Sequence, residues 1–303
     1  GGTGGGTGGG TGGGTGGGGE ATVANAIDDD FSADVVSVAL EHEIAFDGPW
    51  SAVVGLGYAS QERPGAERES GVHWLLGATR EIGERSLIRG SVARQIRFPT
   101  LRDLFDTVRG NPELRTERVV HYEIAGETSL GDRTRLELAL FLSDAEDFVQ
   151  GVPGGRLANA EEVRRQGLEL TVNHRRGALR WVGTYTWLDA EDRSPDAELE
   201  TIQNQPEHSA TLALDYAVHD RLDLRADLRV VADRFALSRT RPTRSQALDD
   251  YAVLGLRAAW DLRDGLRLVG RVENVLDEDY EESIAFPGPG RTVLVGLELG
   301  RGR

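Results

Sequence analysis

The sequence runs in stretches where every second residue is charged and the residues between are aliphatic. In 221–230, Leu222, Leu224, Ala226, Leu228 and Val230 fall on one parity, and Arg221, Asp223, Arg225, Asp227 and Arg229 on the other. Successive side chains of a β-strand point to opposite faces, so this period of two makes one apolar face and one charged face. A soluble sandwich can present one such face to water. Here the pattern fills nearly the whole chain, in long segments with hardly any helical periodicity. The expected fold is therefore all-β: an antiparallel up-and-down transmembrane β-barrel, with lipid against the apolar face and water inside.

Alternating segments lie at about 32–46, 50–60, 71–82, 86–97, 117–129, 133–149, 161–175, 178–189, 204–218, 221–236, 249–262, 266–275 and 290–300. That predicts about thirteen strands, or fourteen if Ala21–Ile27 pairs as well, forming a partial or a small closed barrel. Fourteen strands would permit closure between 290–300 and the N-terminal strand. Most segments have the length of a tilted bilayer crossing, on the order of ten residues. The joins alternate in length. Tight-turn chemistry marks 47–49, 83–85, 131–132, 176–177, 219–220 and 264–265. Long joins lie near 61–70, 98–116, 150–160, 190–203, 237–248 and 276–289. Outer-membrane barrels pair short periplasmic turns with long outer loops, which would leave Arg303 in the periplasm. Trp181, Tyr185 and Trp187 share the outward parity of one segment, with Trp50, Trp260 and Tyr58 near segment ends, as an aromatic girdle requires.

Composition narrows the function classes. The net charge is −16 and every one of the 34 basic residues is arginine, a balance unsuited to binding nucleic acid. No run of about 18 apolar residues exists to form a transmembrane helix. Mean hydropathy is −0.37, which would pass for a soluble chain, but membrane strands are half polar and hide from such an average. Absence of cysteine excludes disulfides and thiolate metal sites. Methionine is absent even at position 1 and no signal peptide is present, so the chain is expected to be a fragment, or a processed or engineered form. Residues 1–19 contain only Gly and Thr and are expected to be flexible coil, leaving 20–303 as the barrel domain.

Three stretches are more specific. The first is Arg97-Phe98-Pro99-Thr100-Leu101-Arg102-Asp103-Leu104-Phe105, followed by Gly110-Asn111-Pro112-Glu113-Leu114-Arg115-Thr116-Glu117 and Tyr122-Glu123. The second is Arg165-Gln166-Gly167-Leu168-Glu169. The third is Asn274-Val275-Leu276-Asp277-Glu278-Asp279-Tyr280 with Pro289-Gly290-Arg291-Thr292. Together they resemble the barrel of TonB-dependent receptors, in its C-terminal part. The resemblance implies an outer-membrane receptor that takes up a siderophore, haem or cobalamin-type ligand. It also implies partners: outer-membrane lipid, a metal-chelate or similar small molecule, and a TonB-type coupling protein reached through an N-terminal region missing here. The family's plug and about eight or nine of its strands have no counterpart in the sequence, and the family's terminal aromatic is replaced by Gly300-Arg301-Gly302-Arg303. The alternatives are a passive pore, a barrel that presents its loops to a partner, or an inactive fragment.

Physically, the same motifs read as scaffold. Pro99 ends a ladder for want of an N–H, Asn111-Pro112 starts a turn, and Gly167 permits either a bulge or a close approach. Catalytic, cofactor and metal sites are expected to be none. His42, His73, His121, His174, His208 and His219 have no metal spacing. Gly55-Leu56-Gly57 lacks the helix of a dinucleotide motif. Asp277, Glu278, Asp279, Glu281 and Glu282 read as a solvated acidic loop, as does Asp28-Asp29-Asp30. The charge ladders Arg133/Arg135/Glu137, Arg225/Asp227/Arg229 and Arg267/Arg271/Glu273 read as cross-strand pairs of a wet wall. Ligand determinants, if present, belong to the loops 98–116, 190–203 and 276–289.

Overall fold

The computed structural model describes residues 31–63, 66–152, 155–195, 197, 202–237 and 245–300. The Gly/Thr head, Ala21–Ile27, Asp28-Asp29-Asp30 and the last three residues lie outside them. From Ser32 onward the chain forms one compact unit. Its strands are β1 (Asp34–Ala45), β2 (Trp50–Glu62), β3 (Glu69–Ile82), β4 (Ser86–Arg97), β5 (Glu117–Leu130), β6 (Thr134–Gly151), β7 (Leu157–Arg176), β8 (Leu179–Asp192), β9 (His208–His219), β10 (Leu222–Ala232), β11 (Arg234–Leu237), β12 (Ser245–Leu248), β13 (Tyr251–Arg263), β14 (Leu266–Glu273), β15 (Glu281–Ser283), β16 (Phe286–Pro287) and β17 (Thr292–Leu299), with one short helix, α1 (Leu101–Phe105).

Thirteen of these strands form a single antiparallel sheet in the order β1 to β10, then β13, β14 and β17. The register keeps the two parities apart across the whole sheet. Leu40, Leu56 and Trp74 are cross-strand partners in a row, as are Leu212, Leu228 and Leu254. On the other face Arg225, Arg257 and Arg271 align, and their charges are met by Asp227 at 2.8 Å, Glu298 at 3.6 Å and Glu273 at 2.8 Å. Arg89 bridges Glu123 at 3.4 Å and Glu137 at 2.7 Å, Arg135 pairs with Glu127, and Arg267 with Asp261 at 2.7 Å. The ladders are thus wall pairs in geometry, each worth little when solvated. Leu40, Leu56 and Ile124 are 77%, 61% and 55% exposed, so the apolar face has no protein to cover it. A contiguous face of this size marks contact with lipid.

One expectation needs correction. Segment 221–236 is not one strand. Asp233 adopts φ 54° and breaks it, and β11 leaves the main sheet to pair with β12. Among the described residues the sheet is open, with β1 paired only with β2 and β17 only with β14; the possible fourteenth strand, Ala21–Ile27, lies outside them. Thirteen antiparallel strands put β1 and β17 in the same direction, so an antiparallel seam between them is impossible.

The face assignment has a direct test. Spin labels on cysteines at 222, 224, 254 and 256, in detergent micelles, should be reached by lipid-soluble quenchers. Labels at 223, 225, 227 and 257 should be reached by water-soluble ones. Equal access for both sets would refute a sheet with one lipid face and one wet face.

Candidate functional site

The long joins connect the strands at one end of the sheet. Join 98–116 is built around Glu117, which opens β5 and is only 5% exposed. Its carboxylate accepts two bonds from Arg97, Nε at 2.5 Å and Nη2 at 2.7 Å, and one from the Val149 N–H at 2.7 Å. It ties the ends of β4, β5 and β6 together. Pro99 then ends the ladder and α1 begins with a reciprocal cap: the Asp103 N–H donates to Thr100 Oγ1 at 3.1 Å, and the Thr100 N–H donates to Asp103 Oδ2 at 3.0 Å. Leu104, 1% exposed, plugs the helix onto the sheet. Gly110 is required by close approach, since a Cβ there would lie 2.5 Å from the Asp106 carbonyl oxygen. Asn111 Nδ2 reaches the Leu157 carbonyl at 3.0 Å, and Arg156 the Gly110 carbonyl at 3.1 Å, so the start of β7 is latched to join 98–116. Ile202, ahead of β9, packs with Ala145, Ala160, Val163 and Ala190 in a small core on the charged face.

Burial works to raise the Asp103 carboxyl, but its hydrogen bonds with Thr100 and the charge of Arg97 outweigh this and hold it below the usual carboxylate range. A lowered native pKa contributes stability above the unfolded value, about 4, and that contribution is lost as pH falls through the native value. Amide-exchange protection of Asp103 and Leu104 should therefore fall on acidification in this range. In Asp103→Asn it should be weaker at neutral pH and flat with pH. An unchanged acid profile in that variant would place the sensitivity elsewhere.

The last long join is organised by Asn274, 2% exposed. Its Nδ2 donates to the Glu278 and Pro289 carbonyls at 2.9 and 3.1 Å, and its Oδ1 accepts the Glu278 N–H at 2.9 Å. Asp277 Oδ1 accepts the Arg291 N–H at 2.9 Å. The Asn-Val-Leu-Asp and Pro-Gly-Arg stretches are thereby two halves of one clamp. Among the described residues the acids of this loop do not converge on a common point; Glu282 instead pairs with Arg229 at 3.0 Å.

Beneath the clamp lies a recess of about 490 Å³ on the charged face. It exists because β9 and β13 place Thr211, Ala213, Val253 and Gly255 there, while Arg229 and Arg271 rise beside them and Tyr280 roofs the space. Tyr280 lies 4.6 Å from Tyr251, and Tyr251 has Arg229 and Arg234 over its ring at 5.5 and 5.0 Å. Arg234 is fixed by the Glu281, Glu282 and Asp249 carbonyls. Asp227 and Glu273 line the same recess, and Arg271 pairs with Glu273 at 2.8 Å and Arg229 with Glu282 at 3.0 Å, so the wall is polar and its charges are matched.

The six histidines scatter. His73 fills the space above Gly57, which explains that glycine as room for an imidazole. His121 bonds to Ser143 at 2.7 Å and His174 to Thr134 at 2.8 Å, while His42 sits opposite Val54 on β2 and His219 caps the β9–β10 turn. His208 opens β9 opposite Trp187. The recess residues were not legible as a set. Only Gly255 interrupts its strand, and the register of four strands is needed to bring the rest beside it.

Comparison with known proteins gives a consistent result. The family described as TonB dependent receptor-like, beta-barrel, matches residues 3–275. The vitamin B12 transporter BtuB of Photobacterium profundum is 26% identical over 215 residues, covering 68% of this chain and 34% of that protein. Its counterpart from Vibrio vulnificus is 24% identical over 203 residues, covering 65% and 31%. The chain therefore spans about a third of the length of these transporters. Among solved structures, the ferric-catecholate import receptor Fiu of E. coli aligns with a TM-score of 0.71 at 19% identity, over 88% of this chain and 44% of that one. The outer-membrane ferripyoverdine receptor of Pseudomonas aeruginosa, bound to ferripyoverdine, aligns at 0.73 and 16% identity, over 89% and 39%. These two show likeness of fold.

Proposed function

The chain belongs to the TonB-dependent receptor β-barrel family, and from that premise we propose that it forms the C-terminal wall and outer loops of an outer-membrane uptake receptor for a metal-chelate ligand such as a siderophore, haem or cobalamin. In this reading the long joins face the outside of a Gram-negative cell and the tight turns, with the Leu299 end of β17, face the periplasm. Ligand is caught by the loops and held on the wet face. Passage is energised by a TonB-type protein acting through parts of a complete receptor beyond this chain. The observation that carries the proposal is the loop-bearing end. Join 98–116 is fixed by the buried Leu104 and Glu117 and join 274–291 by the buried Asn274, and the second borders a recess lined by Arg229, Arg271 and Tyr280. A passive pore has no use for loops so fixed.

The test is exchange of 98–116, 190–203 and 276–289 into a complete receptor of known ligand. Uptake of the host's own ligand should fall by at least about tenfold and ligand choice should change, as expected where loops on a rigid scaffold carry recognition. Unchanged choice, in a chimera that still reaches the outer membrane, would refute the assignment of specificity to these loops.

A further inference from the structure

His208 opens β9 at the loop-bearing end, on the apolar face, with Trp187 and Ala232 as its cross-strand partners. Its Nδ1 lies 2.9 Å from the Tyr185 hydroxyl, and the two rings stack at 6.1 Å. Nδ1 is thereby occupied and Nε2 faces two carboxylates, Asp233 Oδ2 at 3.8 Å and Glu207 Oε1 at 4.0 Å. Both separations exceed a hydrogen bond, about 2.7–3.2 Å. They fit two ligands of one metal ion, because bonds of about 2.0–2.2 Å set neighbouring donor atoms about 3–4 Å apart. All three donor atoms lie within 4.8 Å of one another.

The donors are held from outside the cluster. Glu207 Oε1 accepts the Trp187 indole N–H at 3.1 Å, and the Asp233 N–H donates to Asp250 Oδ1 at 2.9 Å. The Glu207 N–H donates to the Asp233 carbonyl at 3.0 Å. Among the described residues no arginine pairs with either carboxylate. Two carboxylates and an imidazole nitrogen thus converge without a cation to balance them.

We propose that Glu207, His208 and Asp233 form a site for a borderline divalent cation of the Zn²⁺ class, joining the start of β9 to the end of β10 at the outer rim. The imidazole disfavours calcium and magnesium, which take oxygen ligands. The lack of any thiolate disfavours soft ions. The Tyr185 contact on Nδ1 is the kind of outer partner that sets a ligating histidine's tautomer and direction. The site lies on the apolar face, apart from the recess on the charged face, so it is independent of the ligand route.

The test is calorimetric titration of the full, tag-free chain in detergent with ZnCl₂ at neutral pH, with Co²⁺ absorption as a second readout. One Zn²⁺ per chain is expected. His208→Ala and the isosteric Asp233→Asn should each weaken binding by at least about tenfold and remove the Co²⁺ ligand-field bands. His219→Ala, at the opposite end of β9, should change neither. Wild-type protein that binds no Zn²⁺, or binds it equally well in both site variants, would overturn the proposal.

Discussion

Leu228→Arg should destabilise the membrane-embedded sheet by about 2–4 kcal/mol, the range for a guanidinium placed on the lipid face near the bilayer midplane. Leu228 lies midway between the turn end of β10 at Leu222 and its loop end at Ala232. Its cross-strand partners are Leu212 and Leu254, so no polar group stands beside it and an arginine there would have to reach out along the strand. Leu224 shares the face but lies close to the turn, beside Tyr216 and Ala258. Leu224→Arg should therefore cost less, falling toward the roughly 0–1 kcal/mol seen near the interface. Asp223→Arg, on the wet face, should be mild. Urea unfolding from lipid vesicles measures all three. Equal costs at 228, 224 and 223 would mean that no depth or face dependence exists, and with it no membrane-spanning wall.

The architecture was readable because alternation is local. Each strand's two faces follow from its own residues, and tight turns such as Gly83-Glu84-Arg85 and Gly131-Asp132 follow from the residues within them. What escaped was set by neighbours or by single dihedrals. The alternation of 221–230 lapses at Val231 and Arg234, but nothing in that lapse shows that Asp233 will turn left-handed, although aspartate tolerates that conformation better than most residues. The helix at 101–105 had a signal, Thr100 three residues before Asp103, but a single turn is too short for periodicity to register. Glu207, His208 and Asp233 are brought together by one fact of register, His208 opposite Ala232. Spacing rules search along the chain, and this cluster exists only across it.

The two edges carry a constraint of their own. In β1, Val36, Val38 and Leu40 are 64%, 70% and 77% exposed, and in β17, Val295 and Leu299 are 76% and 81%. In hydrocarbon each unpaired backbone group at such an edge costs several kcal/mol, so a lipid-embedded sheet needs both edges covered. Because β1 and β17 run in the same direction, whatever covers them has to add an odd number of strands for every seam to stay antiparallel. An even number would force one parallel pairing between directly adjacent strands. In water the same edges are templates for aggregation.

Gly167→Ala should be the most damaging methyl group that can be added to the wall. Gly167 lies on the charged face of β7, opposite Phe141 on β6 and Leu188 on β8, and neither register shifts there. It is therefore a close approach rather than a bulge. A Cβ at this position would sit 2.2 Å from the Trp187 carbonyl oxygen and 2.8 Å from Phe141 Cζ. The ring could swing aside, though at the expense of its stacking with His121 at 6.1 Å. The carbonyl cannot, because it belongs to the β8 ladder. Overpacking commonly costs about 1–3 kcal/mol, and a backbone obstacle puts this case at the upper end, with the β7–β8 seam opening first. Gly270 on β14 supplies the opposite sign. A Cβ there meets nothing within 4 Å, so Gly270→Ala should be neutral or stabilising by up to about 0.5–1 kcal/mol through the conformational freedom it removes from the unfolded chain. Urea midpoints of the two variants should therefore move in opposite directions, or at least only the first should fall. Phe141→Leu added to Gly167→Ala should recover little, because the carbonyl remains in the way; full recovery would assign the strain to the ring instead.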